Sequence, residues 1–314
     1  MKSKLIFMGT PEFAVPILAA LIKQPYNVIA VYTQPDKQAG RGQKLGASPV
    51  KELALHSNIT VIQPPSLKTP EEVAKMKELA PDVVVVAAYG KIIPQGILSV
   101  PQHGFLNVHP SLLPQYRGAT PIPSAILNGD TVTGMTIMLL DAGMDSGAIF
   151  KQREVSVTAE DTTGSLSARL AAVGTELLLE VLPLWLEGSI KPQPQQHDQA
   201  TYTRTITKDD GRIDWQQSAV EVDRKIRAYN PWPGCYTYWR GKNLKIIQAI
   251  PVLGETSGIP GNVIALPGSP GVVLGVECGK DILGLLRIQM EGKREISAQE
   301  FVRGQREFMG SVLL

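Results

Sequence analysis

Within Gly104–Gly118, GFLNVHPSLLPQYRG, the chain carries the residues best suited to chemistry. Asn107 and His109 stand two apart, so on a strand they project from one face while Leu106 and Val108 take the other. Pro110 removes a ladder donor and disfavours a helical His109, which ends the strand and opens a loop at the sheet's edge. A neutral amide that donates, beside an imidazole that donates or accepts a proton, suits acyl transfer: one steadies an oxyanion and the other moves a proton. The same two residues would equally satisfy backbone groups in a turn, and spacing alone leaves both readings open. A working histidine also wants a carboxylate to fix its tautomer. DAGMDSG, which follows a strand at 134–140, offers Asp141 and Asp145. Glycines on either side of Asp145 let that loop turn back towards the sheet, although a plain Asx turn accounts for them too. His56, His103 and His197 lie in polar or loop contexts without such a companion.

Groups of this kind need a rigid sheet behind them, and the first 190 residues read as one. Leu5 to Met8 is a short apolar run ended by Gly9, and Phe13 to Ile22 then repeats apolar residues at helical spacing, with Pro16 tolerable in a first turn. Val28 to Thr33, Val83 to Ala88 and Phe105 to Val108 have strand length and composition, while Pro70 to Leu79 and Ser165 to Leu186 read as helices. Such alternation predicts an α/β fold with a mostly parallel, Rossmann-like sheet covered on both faces. GTPEFA, after the first strand, is neither GxGxxG nor a phosphate-binding P-loop, so a tight strand-to-helix turn is the better reading there. A substrate at the carboxyl end of the sheet stays compatible with it.

From 189 to 208 the text turns rich in Pro and Gln, with few large apolar residues, as an extended linker would be. The expected organisation is a catalytic domain at 1–188, a linker at 189–208 and a second domain at 209–314. CYTYW, LKIIQAI, NVIAL, GVVLGVE and ILGLLRIQM have the spacing of a small antiparallel β-barrel. A composition of 43% hydrophobic and 19% charged residues excludes a disordered or fibrous chain. No apolar run approaches the roughly 18 residues of a membrane span, and the N-terminus lacks a signal-peptide core, so a cytoplasmic protein is expected. Cys235 and Cys278 have no ligand spacing and read as small core residues; no metal site is expected. Residues 1–190 hold 15 basic and 16 acidic side chains, against 15 and 12 in 204–314, which makes the C-terminal part slightly basic.

Residues 34–51 hold Lys37, Arg41, Lys44 and Lys51 against one acid, Asp36, with glycines flanking Arg41. A long polar insertion of this kind is either plain surface or a functional arm.

Taken together, FMGTPEFAVPIL, QPDKQAGRGQKLGASPVKELA at 34–54, NVHPSLLPQYRGATP, NGDTVTGMTIMLLDAGMDSG, GRIDW and IRAYNPWPGCY resemble the formyltransferase superfamily that uses 10-formyltetrahydrofolate. That superfamily's core is N-x-H followed later by an Asp, and the resemblance runs over nearly all 314 residues. The 34–54 loop resembles that of the branch acting on initiator methionyl-tRNA. The resemblance implies formyl transfer with Asn107, His109 and Asp145 as the catalytic set, and no metal. It implies folate contacts at Ser111, Leu112, Leu113 and Pro114, and a methionine side-chain contact at Phe13. It further implies an arm, Lys37, Arg41 and Lys44, that orders against the acceptor stem with Arg41 as its principal contact. The second domain would be an OB-like barrel placing Arg240, Lys242, Lys245, Lys293 and Arg294 on tRNA phosphates, in a monomer. Thr120, Pro123 and Ala148 depart from the family's usual residues without touching the catalytic set. Two rivals remain. One is the same chemistry on an amino-sugar nucleotide or another small amine, whose enzymes generally lack a GRG-type arm. The other is a folate- or RNA-binding protein without catalysis, which an intact N-x-H and Asp set disfavours.

Overall fold

The computed structural model describes residues 2–39, 44–267 and 272–314. Its elements begin with β1 (Lys4–Gly9), α1 (Val15–Lys23) and β2 (Asn27–Tyr32), then a small hairpin of β3 (Lys37–Ala39) and β4 (Lys44–Gly46). There follow α2 (Pro49–His56), β5 (Thr60–Ile62), α3 (Pro70–Leu79), β6 (Val83–Ala87), the single turn α4 (Gln95–Leu98) and β7 (Phe105–His109). Next come β8 (Arg117–Gly118), α5 (Pro121–Asn128), β9 (Val132–Leu139), β10 (Ile149–Ser156), α6 (Thr163–Leu186) and β11 (Tyr202–Thr203). One compact unit gathers Met1–Pro121, Val132–Ser156 and Ser167–Arg204.

The main sheet of this unit has the order β10-β9-β7-β6-β1-β2-β5. The five strands from β7 to β5 run parallel, and β9 alone runs against its neighbours β7 and β10, so the sheet is mostly parallel as the alternation predicts. β6 is buried at every position, which is what a central parallel strand with both faces covered requires. On one face Ile6, Met8, Tyr32, Val84 and Phe105 pack with Met76 of α3 and Ile97 of α4. Pro16 falls in the first turn of α1, where its missing N–H has no intrahelical partner to lose. At Gly9 a Cβ would lie 2.7 Å from the Phe7 ring and 2.9 Å from the Ala87 carbonyl oxygen, so the strand-to-helix turn needs glycine. Strand order reverses between β1 and β6, and open α/β sheets take their ligands outside the carboxyl ends at such a point.

After α6 the Pro- and Gln-rich segment stays in this unit as far as Arg204. Gln193 and Ile149 exchange two backbone hydrogen bonds of 2.8 Å, and β11 pairs with β8.

The second unit gathers Ile122–Thr131, Val157–Leu166 and Thr205–Leu314. It contains α7 (Ala219–Ala228), β12 (Cys235–Trp239), β13 (Lys242–Val252), β14 (Val263–Ala265), β15 (Leu274–Glu277), β16 (Ile282–Met290), β17 (Ile296–Ser297) and α8 (Ala298–Gly304). The sheet order is β12-β13-β16-β15-β14, antiparallel throughout, with β17 beside β16. Register shifts around Gln248 bend the long β13, and the sheet curls into an OB-like half-barrel. Ser218 and Glu221 form a capping box that starts α7. Trp239, Phe301 and Phe308 meet edge to face in the core, with centroids 5.0 to 5.7 Å apart. Among the described residues no helix is long and apolar enough to cross a membrane.

Candidate active site

β7 delivers Asn107 and His109 to one face at its carboxyl end, 9% and 4% exposed. The loop after β9 folds back on itself at Gly147, where a Cβ would lie 1.8 Å from the Leu139 carbonyl oxygen and only glycine fits. That return brings Asp145, in the left-handed region at φ 48°, to the two β7 residues. Asn107 Nδ2 donates to Asp145 Oδ1 at 3.4 Å, and His109 Nδ1 faces Asp145 Oδ2 at 3.7 Å. The Gly118 amide donates to the same Oδ2 at 2.8 Å. His109 Nε2 donates to the Tyr116 carbonyl at 3.1 Å, so both ring nitrogens face acceptors. Asp141, the other carboxylate of the loop, accepts from the Gly143 amide at 3.0 Å and the Ser146 hydroxyl at 2.8 Å, and so shapes the loop.

The segment Ser111–Pro114 is tied down from β9 and β10. Thr136 Oγ1 donates to the Ser111 carbonyl at 2.6 Å and accepts from the Leu113 amide at 3.2 Å. Gln152 Nε2 donates to the Leu113 carbonyl and to Thr136 Oγ1, both at 2.9 Å. Leu112 lies over Gly134, where a Cβ would come within 2.4 Å of it. The fully buried Ser111 hydroxyl donates to the Gln115 carbonyl at 2.6 Å. Phe13 sits half-buried in a turn of 3-10 helix, Glu12–Ala14, beyond the carboxyl end of β1 and so on the same edge of the sheet as His109.

Two residues of the site carry no signal of their own in the sequence. Arg117 is 2% exposed and donates Nε and Nη2 to Gln195 Oε1 at 3.2 and 2.7 Å. Gln195, in text that reads as linker, donates Nε2 to the Asp145 and Gly147 carbonyls at 2.8 and 2.7 Å.

The basic candidates fall in two places. Lys37 and Lys44 stand in β3 and β4, whose backbones pair antiparallel, and Arg41 lies outside the described residues. The base of this hairpin is anchored by Asp36, which accepts from Lys51 at 2.5 Å and from Gln63 at 2.8 Å. These bonds hold the Asp36 carboxyl below its usual range. In the second unit, Arg240 pairs with Glu307 and stacks over Trp239, and Arg294 pairs with Glu300 at 3.4 Å. Lys242, Lys245 and Lys293 are exposed and have no carboxylate partner among the described residues. Among the described residues no three His, Cys, Asp or Glu side chains converge as a metal site.

The sequence pattern of the formyl transferase family matches residues 1–182, and that of the formyl transferase C-terminal domain matches 205–306. The methionyl-tRNA formyltransferase of Caldanaerobacter subterraneus subsp. tengcongensis is 46% identical over 311 residues, 99% of either chain. HypX from Aquifex aeolicus, solved in complex with tetrahydrofolic acid, shares the fold at a TM-score of 0.65 and 19% identity. The match covers 99% of this chain and 48% of HypX, so the chain spans about half of that protein. An N-formyltransferase from Helicobacter canadensis, solved with folinic acid and dTDP-3-aminofucose, shares the fold at a TM-score of 0.65 and 20% identity, over 91% of this chain and 99% of its own. Near-half identity along the whole length of a relative reflects descent, and the chain belongs to the formyl transferase family.

Proposed function

We propose that the chain transfers the formyl group of 10-formyltetrahydrofolate to the α-amine of methionyl initiator tRNA. The observation that carries this reading is the meeting of Asn107, His109 and Asp145 at the sheet's carboxyl edge, in a chain whose full-length relatives bear that activity in their name. The amine attacks the formyl carbon, and the formyl oxygen gains negative charge as the tetrahedral intermediate forms. Asn107 spends one amide hydrogen on Asp145, and its second is available to that oxygen. His109 supplies the positive partner, oriented by Asp145 on one ring nitrogen and by the Tyr116 carbonyl on the other. The proton released by the attacking amine passes by way of the Asp145 carboxylate to N10 of the folate as the C–N10 bond breaks. No covalent bond to the enzyme forms.

The fixed backbone of Ser111–Pro114 supports a folate-binding role for Ser111, Leu112, Leu113 and Pro114, and Phe13 is assigned to the methionine side chain. Lys37, Arg41 and Lys44 are assigned to the acceptor stem, and Lys242, Lys245 and Lys293, with Arg240 and Arg294, to phosphates. Translation initiation makes the enzyme cytoplasmic, and it acts as a monomer. Likeness to sugar N-formyltransferases at about 20% identity bears on the fold alone.

The test offers the purified protein 10-formyltetrahydrofolate with methionyl initiator tRNA, methionyl elongator tRNA, glycinamide ribonucleotide or an amino-sugar nucleotide, and detects the formylated product. Formylation of the initiator tRNA alone is expected. Formylation of a small amine in its place would overturn the tRNA reading.

A further inference from the structure

Asp145 is held from outside its own loop. Its φ of 48° lies in the left-handed region, which is strained for a residue with a Cβ, so its neighbours must over-determine that conformation. Gln195 is one such neighbour, 6% exposed, and every capacity of its amide is used. Its two N–H bonds go to the Asp145 and Gly147 carbonyls, and its oxygen accepts twice from Arg117. A guanidinium only donates, so Arg117 decides which end of the Gln195 amide faces it and forbids the flipped amide. Arg117 has no carboxylate partner among the described residues; its other donors reach the Tyr202 hydroxyl at 3.3 Å and His197 Nδ1 at 3.0 Å. Burying a cation on neutral partners alone costs folding free energy that its hydrogen bonds only partly offset.

We infer that Arg117 and Gln195 form a positioning relay, which locks the backbone of Asp145 and thereby sets its carboxylate against Asn107, His109 and the Gly118 amide. Neither relay residue touches the reacting atoms. This inference rests on the catalytic reading of Asp145 given above.

Gln195→Glu isolates the relay. Its carboxylate still accepts from Arg117, which preserves the buried partner, but it has no hydrogen to give the Asp145 and Gly147 carbonyls. Turnover is expected to fall at least tenfold with both KM values within twofold. Since the relay acts through Asp145, adding Gln195→Glu to Asp145→Asn should cost less than a further twofold. Arg117→Lys, which keeps the charge and loses the fork, should lower turnover in the same direction. Full multiplication of the Gln195→Glu and Asp145→Asn losses, or wild-type turnover in Gln195→Glu, would overturn the inference.

A second readout needs no activity. In protein labelled with 15N-glycine, the Gly118 amide resonance reports the Asp145 carboxylate it donates to. It should move in Gln195→Glu as it does in Asp145→Asn, and an unmoved resonance would overturn the relay. A moved resonance in a protein that formylates none of the amines would uphold the hold on Asp145 and overturn the functional reading in its place.

Discussion

Asp145→Asn preserves the shape of the side chain and removes its charge, which makes it the sharpest probe of the site. The carboxylate accepts from the Gly118 amide at 2.8 Å and Asn107 Nδ2 at 3.4 Å, and faces His109 Nδ1 at 3.7 Å. An asparagine has one acceptor oxygen. Given to Gly118, it turns its NH2 towards the Asn107 amide, donor against donor. The larger loss is electrostatic. In the proposed mechanism the ring carries positive charge as the oxyanion forms, and a unit charge 3.7 Å from it is then worth about 4 kcal/mol at an effective dielectric near 20, with the carboxylate's 16% exposure screening part of it. At about 1.4 kcal/mol per tenfold, turnover should drop by roughly 10²–10³. Single-turnover formylation under rapid quench, with saturating formyl donor and methionyl initiator tRNA, measures the step directly. Both KM values should stay within about threefold, because the lost contacts strengthen only as charge develops. A drop of less than about fivefold, or one confined to KM, would refute the charge argument.

Other outcomes follow from the surrounding structure. Thr136→Val keeps the volume and removes the hydroxyl that ties Ser111 and Leu113; it should cost about 1–3 kcal/mol in denaturant unfolding and raise the KM for the formyl donor severalfold. An unchanged donor KM would detach this loop from folate binding. Arg41→Ala should raise the KM for methionyl-tRNA at least about tenfold and spare that for the donor, since phosphate contacts act on affinity; equal tRNA kinetics would return the hairpin to plain surface. Burial pushes the Cys235 and Cys278 thiols up to about 12, so at pH 8 Ellman's reagent should react with neither in the folded chain and with both once it unfolds. Fast reaction of the folded protein would contradict their placement. Burial alone would raise the Glu277 carboxyl, but bonds from Ser257 and Asn262 outweigh it and hold the group low. Its contribution is therefore present above the unfolded value, near about 4.3, and lost as pH falls through the folded one. Glu277→Gln should lower Tm at pH 7, with the difference closing in acid; a gap that widens there would reverse the sign of the argument.

Much of this protein is written locally. Side-chain period is a property of the chain itself, so α3 is bounded at Pro70 and Leu79 where the periodicity bounds it, and β6 shows as an unbroken apolar run. The N-x-H spacing is legible for the same reason, since residues two apart on a strand must share a face. Gly143 and Gly147 mark a loop that turns back, yet they do not say which of two aspartates returns to the sheet. That choice was made by Gly118, 27 residues before Asp145 in the chain, whose amide takes one carboxylate while Asp141 is consumed within its own loop. Gln195 was hidden more deeply. Its surroundings read as linker because composition reports how much apolar surface a segment can bury, whereas Gln195 is buried through hydrogen bonds to Arg117, 78 residues away, and to Asp145, 50 residues away. The gathering of Ile122–Thr131 and Val157–Leu166 with Thr205–Leu314 is equally silent in the text. Periodicity and turn chemistry act between neighbours in sequence and can be read from it. Partners of a buried polar group are chosen only when distant segments are brought together, and the tertiary structure alone decides them.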